Sequence, residues 1–387
     1  MKKGNKAMKI PFNRVSLSGK EMVYLEDCIK RGLISGGGYY TYAARCRLEE
    51  YLYTSKVWLT TSGTSALEMA VLCLDLQPGD EVIMPSFTFV STANAVLLRG
   101  ARPVFAEIDP YTLNLDPEDA ERKISSRTRA IIPVHYAGVA CAMDDLLAIA
   151  AAHDIAVVED AAHGIGAAYK GRPLGSIGLM GCYSFHGTKN IVSGEGGALL
   201  LNRGQQQLTE RAEIIYEKGT NRSQFMRGEV DRYTWQGIGS SFIMADLLAA
   251  FLYAQLERLE EITRARQQRF AIYQQAFLPY QQQEKLQLPY VPEYAQSNGH
   301  LYHLLCPTQA KRDELLQSLR EQGVEASFHF IPLHSSPMSR RLGYGKDELP
   351  VTEEISRRLI RLPIYPDLSE DEQAYVIEKV QECLTGW

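Results

Sequence analysis

Residues 155–167 read IAVVEDAAHGIGA, and the fold is decided there. An apolar, β-branched run ends on two carboxylates, Glu159 and Asp160, and passes at once into small residues and glycines. Open α/β sheets bind ligands at the carboxyl ends of their strands, so a carboxylate at this place either caps the strand end in an ion pair or serves a ligand. Working outward, EVIM (81–84), PVFAEI (103–108) and RAIIPV (129–134) are further short apolar runs separated by helix-like stretches. Strands buried on both faces have this continuous apolar character, and helices of about 10 to 15 residues between them imply right-handed crossovers in a mostly parallel sheet. GCYSF (181–185) and GALLLN (197–202) follow one another without a long helix, which predicts a sheet that is not uniformly parallel.

The chain has 387 residues, and a single core stops growing near about 250 to 300 residues, so two domains are expected. Residues 243–270, rich in Leu, Ala, Glu and Arg, predict one long connecting helix. The boundary is placed near 262: an N-terminal arm and large α/β domain over 1–262, then a small α+β domain over 263–387. In the latter, HLYHLLC (300–306), a charged helix at 310–322, VEASFHF (324–330) and a terminal helix from 369 alternate.

Composition excludes several classes of function. With 45% hydrophobic and 22% charged residues the chain is an ordinary globular protein, and a net charge of −5 provides no basic surface for nucleic acid. No export signal and no run of about 18 apolar residues is present, so a cytoplasmic protein without a membrane partner is expected. Seven scattered cysteines without a CxxC pair predict reduced thiols rather than a disulfide framework or structural zinc, and no metal. The sequon Asn221-Arg222-Ser223 has meaning only in an exported chain.

Lys189 follows Asp160 by 29 residues, in YSFHGTKNIVSGEGGALL (183–200). Its place between a strand end and a glycine-rich turn suits a lysine that approaches a cofactor closely, although a solvated lysine is the common alternative. An Asp for a pyridinium nitrogen and a Lys for an aldehyde are the two groups that pyridoxal 5'-phosphate most needs. TTSGTSALEMAVLCL (60–74) provides a Ser/Gly/Thr turn opening into a helix, which binds anions through its first amides or is simply capped by Ser62 or Thr64. PSFTFVSTANA (85–95) offers Phe87 and Phe89 either to an aromatic ring or to the core.

Two rivals are weaker. GIGAAY (164–169) begins like a dinucleotide fingerprint, but Tyr169 takes the third glycine position and DAAH intervenes after the strand. A non-catalytic protein that binds the cofactor or a nucleotide sugar is opposed by an intact Lys189 and Asp160.

In order and spacing, SGTSALEMA (62–70), QPGDEVIMPSFTFVSTANAV (77–96), VHYAGVACAMD (134–144), VVEDAAHGIGA (157–167), YSFHGTKN (183–190) and GEGGAL (194–199) resemble the DegT/DnrJ/StrS family of sugar aminotransferases. The resemblance runs from about residue 10 to the end of the chain. It implies the aspartate aminotransferase type I fold and pyridoxal phosphate bound to Lys189 as a Schiff base, with Lys189 also moving the proton. It further implies that Asp160 pairs with the pyridinium nitrogen, His163 lies near the phenolic oxygen and Phe89 stacks on the ring, while Gly63, Thr64 and Ser184 hold the phosphate. Relatives with His in place of this lysine are dehydratases, so Lys189 implies transamination.

The stretch EKGTNRSQFMRGEVDRYTWQGIGSSFIMADL (217–247) resembles the branch that makes dTDP-4-amino-4,6-dideoxygalactose for enterobacterial common antigen. That implies dTDP-4-keto-6-deoxy-D-glucose as the nucleotide-linked keto sugar and L-glutamate as amino donor; a 3-amino product or the other C4 configuration are the alternatives. Most members carry Asn-Tyr-Arg-Met where this chain has Ser241-Phe242-Ile243-Met244, and that Asn reaches the phosphate in the partner subunit of a homodimer with shared sites. Ser241 stands in its place. Lys218, Asn221 and Arg222 suit diphosphate or sugar hydroxyls, or form a solvated loop. His329 and His334 in FHFIPLH (328–334) face the site in relatives, or are core or capping residues.

Overall fold

In the computed structural model, which describes residues 8–53, 56–202, 206–344 and 349–387, seven strands make one sheet. They are Lys56–Thr60 (β1), Glu81–Pro85 (β2), Arg102–Ala106 (β3), Thr128–Ile131 (β4), Ala156–Asp160 (β5), Met180–Ser184 (β6) and Gly197–Leu201 (β7). Their order is β1-β7-β6-β5-β4-β2-β3. Every neighbouring pair is parallel except those of β7, which is antiparallel to both β6 and β1. The departure from a uniform sheet is therefore one reversed strand, joined to β6 by a tight double turn because antiparallel neighbours need no crossover helix. β4 is shorter than RAIIPV suggested: Pro133 lacks the N–H that would continue the ladder, and a single bridge from Val134 to Asp160 replaces it.

The expected long helix is two, Asp246–Leu256 and Leu259–Gln282. The break is held from the N-terminal segment, where Lys20 Nζ and Tyr24 OH reach Glu257 Oε2 at 3.1 and 3.0 Å and Arg258 donates to Ser16 Oγ at 3.3 Å. Residue 262 falls inside the second helix. Leu259 and Ile262 pack with the face of the large sheet that covers β1 and β7, whereas Tyr273 and Phe277 belong to a separate C-terminal core.

That core lies behind an antiparallel pair, Tyr302–Leu305 (β8) and Leu359–Leu362 (β9), covered by Gln309–Glu321 and Glu370–Thr385. Ser369 and Glu372 close a capping box at the start of the last helix. VEASFHF does not form a strand; it makes isolated bridges from Val324 to Ile10 and from Ser327 to Arg361. The carbonyl of Phe328 is taken by the Arg361 side chain at 2.9 Å instead of by a ladder amide. Ile10 is buried in this C-terminal core, so the N-terminal arm packs on the small unit as well as the large one. All seven cysteines are free, and among the described residues no helix is long and apolar enough to cross a membrane.

Candidate active site

The carboxyl ends of β1, β2, β5 and β6 open on one cavity of about 320 Å³. Asp160, buried at the end of β5, accepts from Thr92 Oγ1 at 2.8 Å and from the Ala162 amide at 3.2 Å. Thr92 is oriented in turn by Thr88, four residues earlier and ahead of the helix Val90–Leu97, at 2.9 Å. Burial pushes the Asp160 carboxyl above its ordinary range, against the pull of Thr92, the Ala162 amide and the charge of Lys189. Burial also pulls the Lys189 amine down to about 8, opposed by Asp160. Both groups are thus held nearer neutrality than in water, burial being offset only in part by the charge of the other; a protonated pyridine would suit the carboxyl and an aldehyde the amine.

The adjacent Glu159 points to the opposite face of the sheet, as the two-residue period of a strand requires. It is fully buried and accepts from the amides of Gly175, Ile177 and Gly178 at 2.6–2.8 Å, and lies 2.9 Å from His135 Nε2. One carboxylate of the pair is structural and the other lines the cavity.

His163 lies on the cavity wall with Nδ1 shielded from solvent and without a hydrogen-bond partner. Its ring centroid is 4.2 Å from that of His300, whose Nδ1 is 2.8 Å from Asn190 Oδ1, beside Lys189. Burial, then the charge of Lys189, hold His163 well below the usual histidine range, so the ring is neutral. A neutral ring with one nitrogen unpartnered thus lines the cavity, able to hydrogen-bond a bound molecule after a small rotation.

At the other end, Ser62 caps the helix Gly63–Cys73: its Oγ accepts from the Ser65 amide at 3.0 Å and its carbonyl from Ala66 at 3.1 Å. The amides of Gly63 and Thr64 remain for an anion. Glycine is needed because a Cβ at residue 63 would meet Ser184 Cβ at 2.7 Å, so close does the helix end come to the end of β6. Thr64 Oγ1 is 2.7 Å from Ser91 Oγ. Phe89, 60% exposed, stands at the mouth, whereas Phe87 is 1% exposed and packs against Tyr136 and Phe330. The orphaned His163 nitrogen, the glycine-lined anion cradle and the Asp160–Lys189 pair fit pyridoxal phosphate in its ring, phosphate and aldehyde.

His329 lines the cavity, its Nδ1 3.2 Å from Tyr136 OH. His334 does not. It is fully buried between Ser86 Oγ, 2.7 Å from Nδ1, and Glu353, 3.3 Å from Nε2, and it ties the loop after β2 to the C-terminal unit. Lys218, Asn221, Arg222 and Ser241 also lie outside this cavity. Asn221 is a buried turn residue accepting from the Thr234 amide at 2.8 Å, Arg222 faces Glu217 at 3.5 Å, and exposed Ser241 bridges to Glu217. Gly164 and Gly166 start no helix; they form a turn against Ala161 and Thr263, which removes the dinucleotide reading. Four polar residues in or beside the cavity went unmarked in the sequence: Thr92, His186 and Glu195 on its wall and His300 against His163. The Thr88/Thr92 spacing was a usable signal for the first, while His300 is identified only by its tertiary neighbours.

The model of the DegT/DnrJ/EryC1/StrS aminotransferase family matches residues 16–381. The chain is 36% identical over 333 residues to spore coat polysaccharide biosynthesis protein SpsC of Bacillus subtilis, covering 84% of each. It is 33% identical over 387 residues to GDP-perosamine synthase of Vibrio cholerae, covering 98% of this chain and 99% of that one. Among solved structures, the PLP form of the putative sugar aminotransferase Spr1654 from Streptococcus pneumoniae superposes with a TM-score of 0.90 at 26% identity, covering 98% and 99% of the two chains. The chain belongs to the DegT/DnrJ/EryC1/StrS family and is a pyridoxal-phosphate-dependent sugar aminotransferase.

Proposed function

We propose that the enzyme moves an amino group from L-glutamate to C4 of dTDP-4-keto-6-deoxy-D-glucose, giving dTDP-4-amino-4,6-dideoxy-D-galactose. The observation that carries the transamination is the Lys189 amine, pulled down to about 8, facing the same cavity as buried Asp160. The bound cofactor supplies an electron sink. Lys189 would hold its aldehyde and carry the proton to and from the reacting carbon of each substrate, and Asp160 would keep the ring nitrogen protonated. His163 would serve the phenolic oxygen, Phe89 would cover the ring, and Gly63, Thr64 and Ser184 would hold the phosphate.

The acceptor rests on the 217–247 stretch. Its middle, residues 225–241, is mostly exposed and bears Trp235 (82% exposed) and Met226 (70%), and the segment does not line the cavity of its own chain. Such a surface supports a homodimer in which Lys218, Asn221, Arg222 and Ser241 serve the partner's site. A GDP-linked acceptor is the second reading, favoured by the full-length similarity to GDP-perosamine synthase.

Visible absorbance of the holoenzyme tests both half-reactions. Loss of the cofactor band with L-glutamate and its return with dTDP-4-keto-6-deoxy-D-glucose is expected, with NMR of the product assigning C4. Return only with a GDP-linked keto sugar selects the second reading, and a band indifferent to Lys189→Ala refutes the assignment of the lysine.

A further inference from the structure

Two polar side chains on the cavity wall, His186 and Glu195, play no part in the cofactor cradle. Both belong to the double turn between β6 and β7 that carries Lys189. Its halves are laced together by backbone bonds from Gly187 to Gly194 (2.9 Å), Phe185 to Gly196 (2.8 Å) and Ser193 to Phe185 (2.8 Å). Gly196 has φ +159°, and a Cβ there would meet Met244 Cε at 2.3 Å, so the turn is held against the helix entry behind it. Lys189 and Glu195 are therefore fixed relative to one another.

His186 Nδ1 accepts from the Thr188 amide at 3.3 Å and lies 2.9 Å from the Thr188 hydroxyl. A nitrogen that accepts an N–H carries no proton in the neutral ring, so the proton is on Nε2. Nε2 lies 3.7 Å from Glu195 Oε1, and the two side chains are 49% and 64% exposed. Glu195 has no other ion pair among the described residues. The cavity that holds the Lys189 amine thus also presents a donor and an acceptor-only carboxylate side by side.

We propose that His186 and Glu195 are specificity-determining residues for the amino acceptor: Glu195 accepts from a hydroxyl of the keto sugar near its carbonyl, and His186 Nε2 donates to a neighbouring oxygen. This rests on the keto-sugar reading above and deepens it. The two substrates of the one cavity differ in the relevant chemistry. Next to the reacting carbon a keto sugar presents hydroxyl donors, which a carboxylate binds, its diphosphate lying farther along the molecule, whereas an amino acid presents its α-carboxylate there, which a carboxylate repels. The dyad accordingly favours one half-reaction and disfavours the other.

The test is Glu195→Gln and His186→Asn in the full-length holoenzyme, with each half-reaction followed separately by cofactor absorbance and cofactor affinity measured by titration. Glu195→Gln leaves an acceptor but removes its charge, and a charge-assisted hydrogen bond exceeds a neutral one by about tenfold in binding. Glu195→Gln should raise the half-saturating concentration of the dTDP-linked keto sugar by about that factor, and leave that of L-glutamate equal or lower. Cofactor affinity and the band position should not move. Equal weakening of both substrates, or an acceptor constant within about twofold of wild type, overturns the proposal. A wild-type enzyme that reacts with L-glutamate but with no nucleotide-linked keto sugar overturns the keto-sugar reading and the dyad together, while normal wild-type turnover with an unaffected variant overturns the dyad alone.

Discussion

Gly63→Ala is the substitution whose effect follows most directly from the geometry. The new methyl would lie 2.7 Å from Ser184 Cβ, 3.1 Å from its Oγ and 3.2 Å from its Cα. Ordinary contact begins at 3.4 Å, so the gap must open by about 0.7 Å. Ser184 cannot retreat, because β6 is buried along its length and paired on both sides by β5 and β7. The helix end must move instead, and overpacking of this kind costs about 1–3 kcal/mol. The same movement draws the amides of Gly63 and Thr64 away from Ser184, so affinity for the cofactor falls by about tenfold or more. Titration of the cofactor-free protein, read by absorbance, gives the affinity, and thermal melts give the stability. Combining Gly63→Ala with Ser184→Gly should recover the melt by removing two of the three contacts, without recovering affinity, since the hydroxyl is gone. Wild-type affinity and melting temperature in Gly63→Ala would refute the proposed cradle.

Three further outcomes follow from the carboxylates and the lysine. Because Lys189 titrates at about 8 when folded and near 10.5 in the unfolded chain, the unfolded state binds the extra proton between those values. The cofactor-free protein should therefore gain stability relative to Lys189→Met as pH rises from about 8 to 10.5. The rate of cofactor capture should rise through about pH 8, with a lower midpoint in Asp160→Asn, which removes the charge that holds the amine up; a pH-independent difference between the proteins sinks this account. Glu159→Gln sets an amide NH₂ among three backbone donors and should lose about 2–4 kcal/mol in denaturant melts, while Asp160→Asn should lose turnover with a smaller change in the melt. Equal stability losses would show that the two neighbours do not divide their roles as described.

Much of this was legible because the informative residues lie at strand ends, where an apolar run stops abruptly on a polar or small residue. Asp160 and the Ser62-Gly63-Thr64 turn are visible in that way, whereas Ser184 and His163 came only with the family resemblance, and the lack of a helix between GCYSF and GALLLN signals the reversed strand. What failed depends on partners distant in sequence. The break at Glu257 and Arg258 is made by Ser16, Lys20 and Tyr24, so the 243–270 periodicity carries no mark of it. His334 looks like its neighbour His329 until Ser86 and Glu353 are seen around it. VEASFHF has the composition of a strand, yet Arg361 takes the carbonyl that pairing would use.

The reversal of β7 also divides the catalytic centre between a short-range and a long-range strand pairing. Lys189 is carried by a loop closed between strands adjacent in the chain, a short-range event with little entropy to lose. The anion cradle hangs from β1, which reaches the sheet only by pairing with β7 across most of the large unit, Lys56 opposite Leu201. A half-folded molecule can hold its lysine beside Asp160 and still have nothing with which to grip a phosphate. Coenzyme capture is therefore a chemical seal on completed folding: it stabilises only chains whose first strand has found its seventh, and it leaves unfinished ones to the proteases.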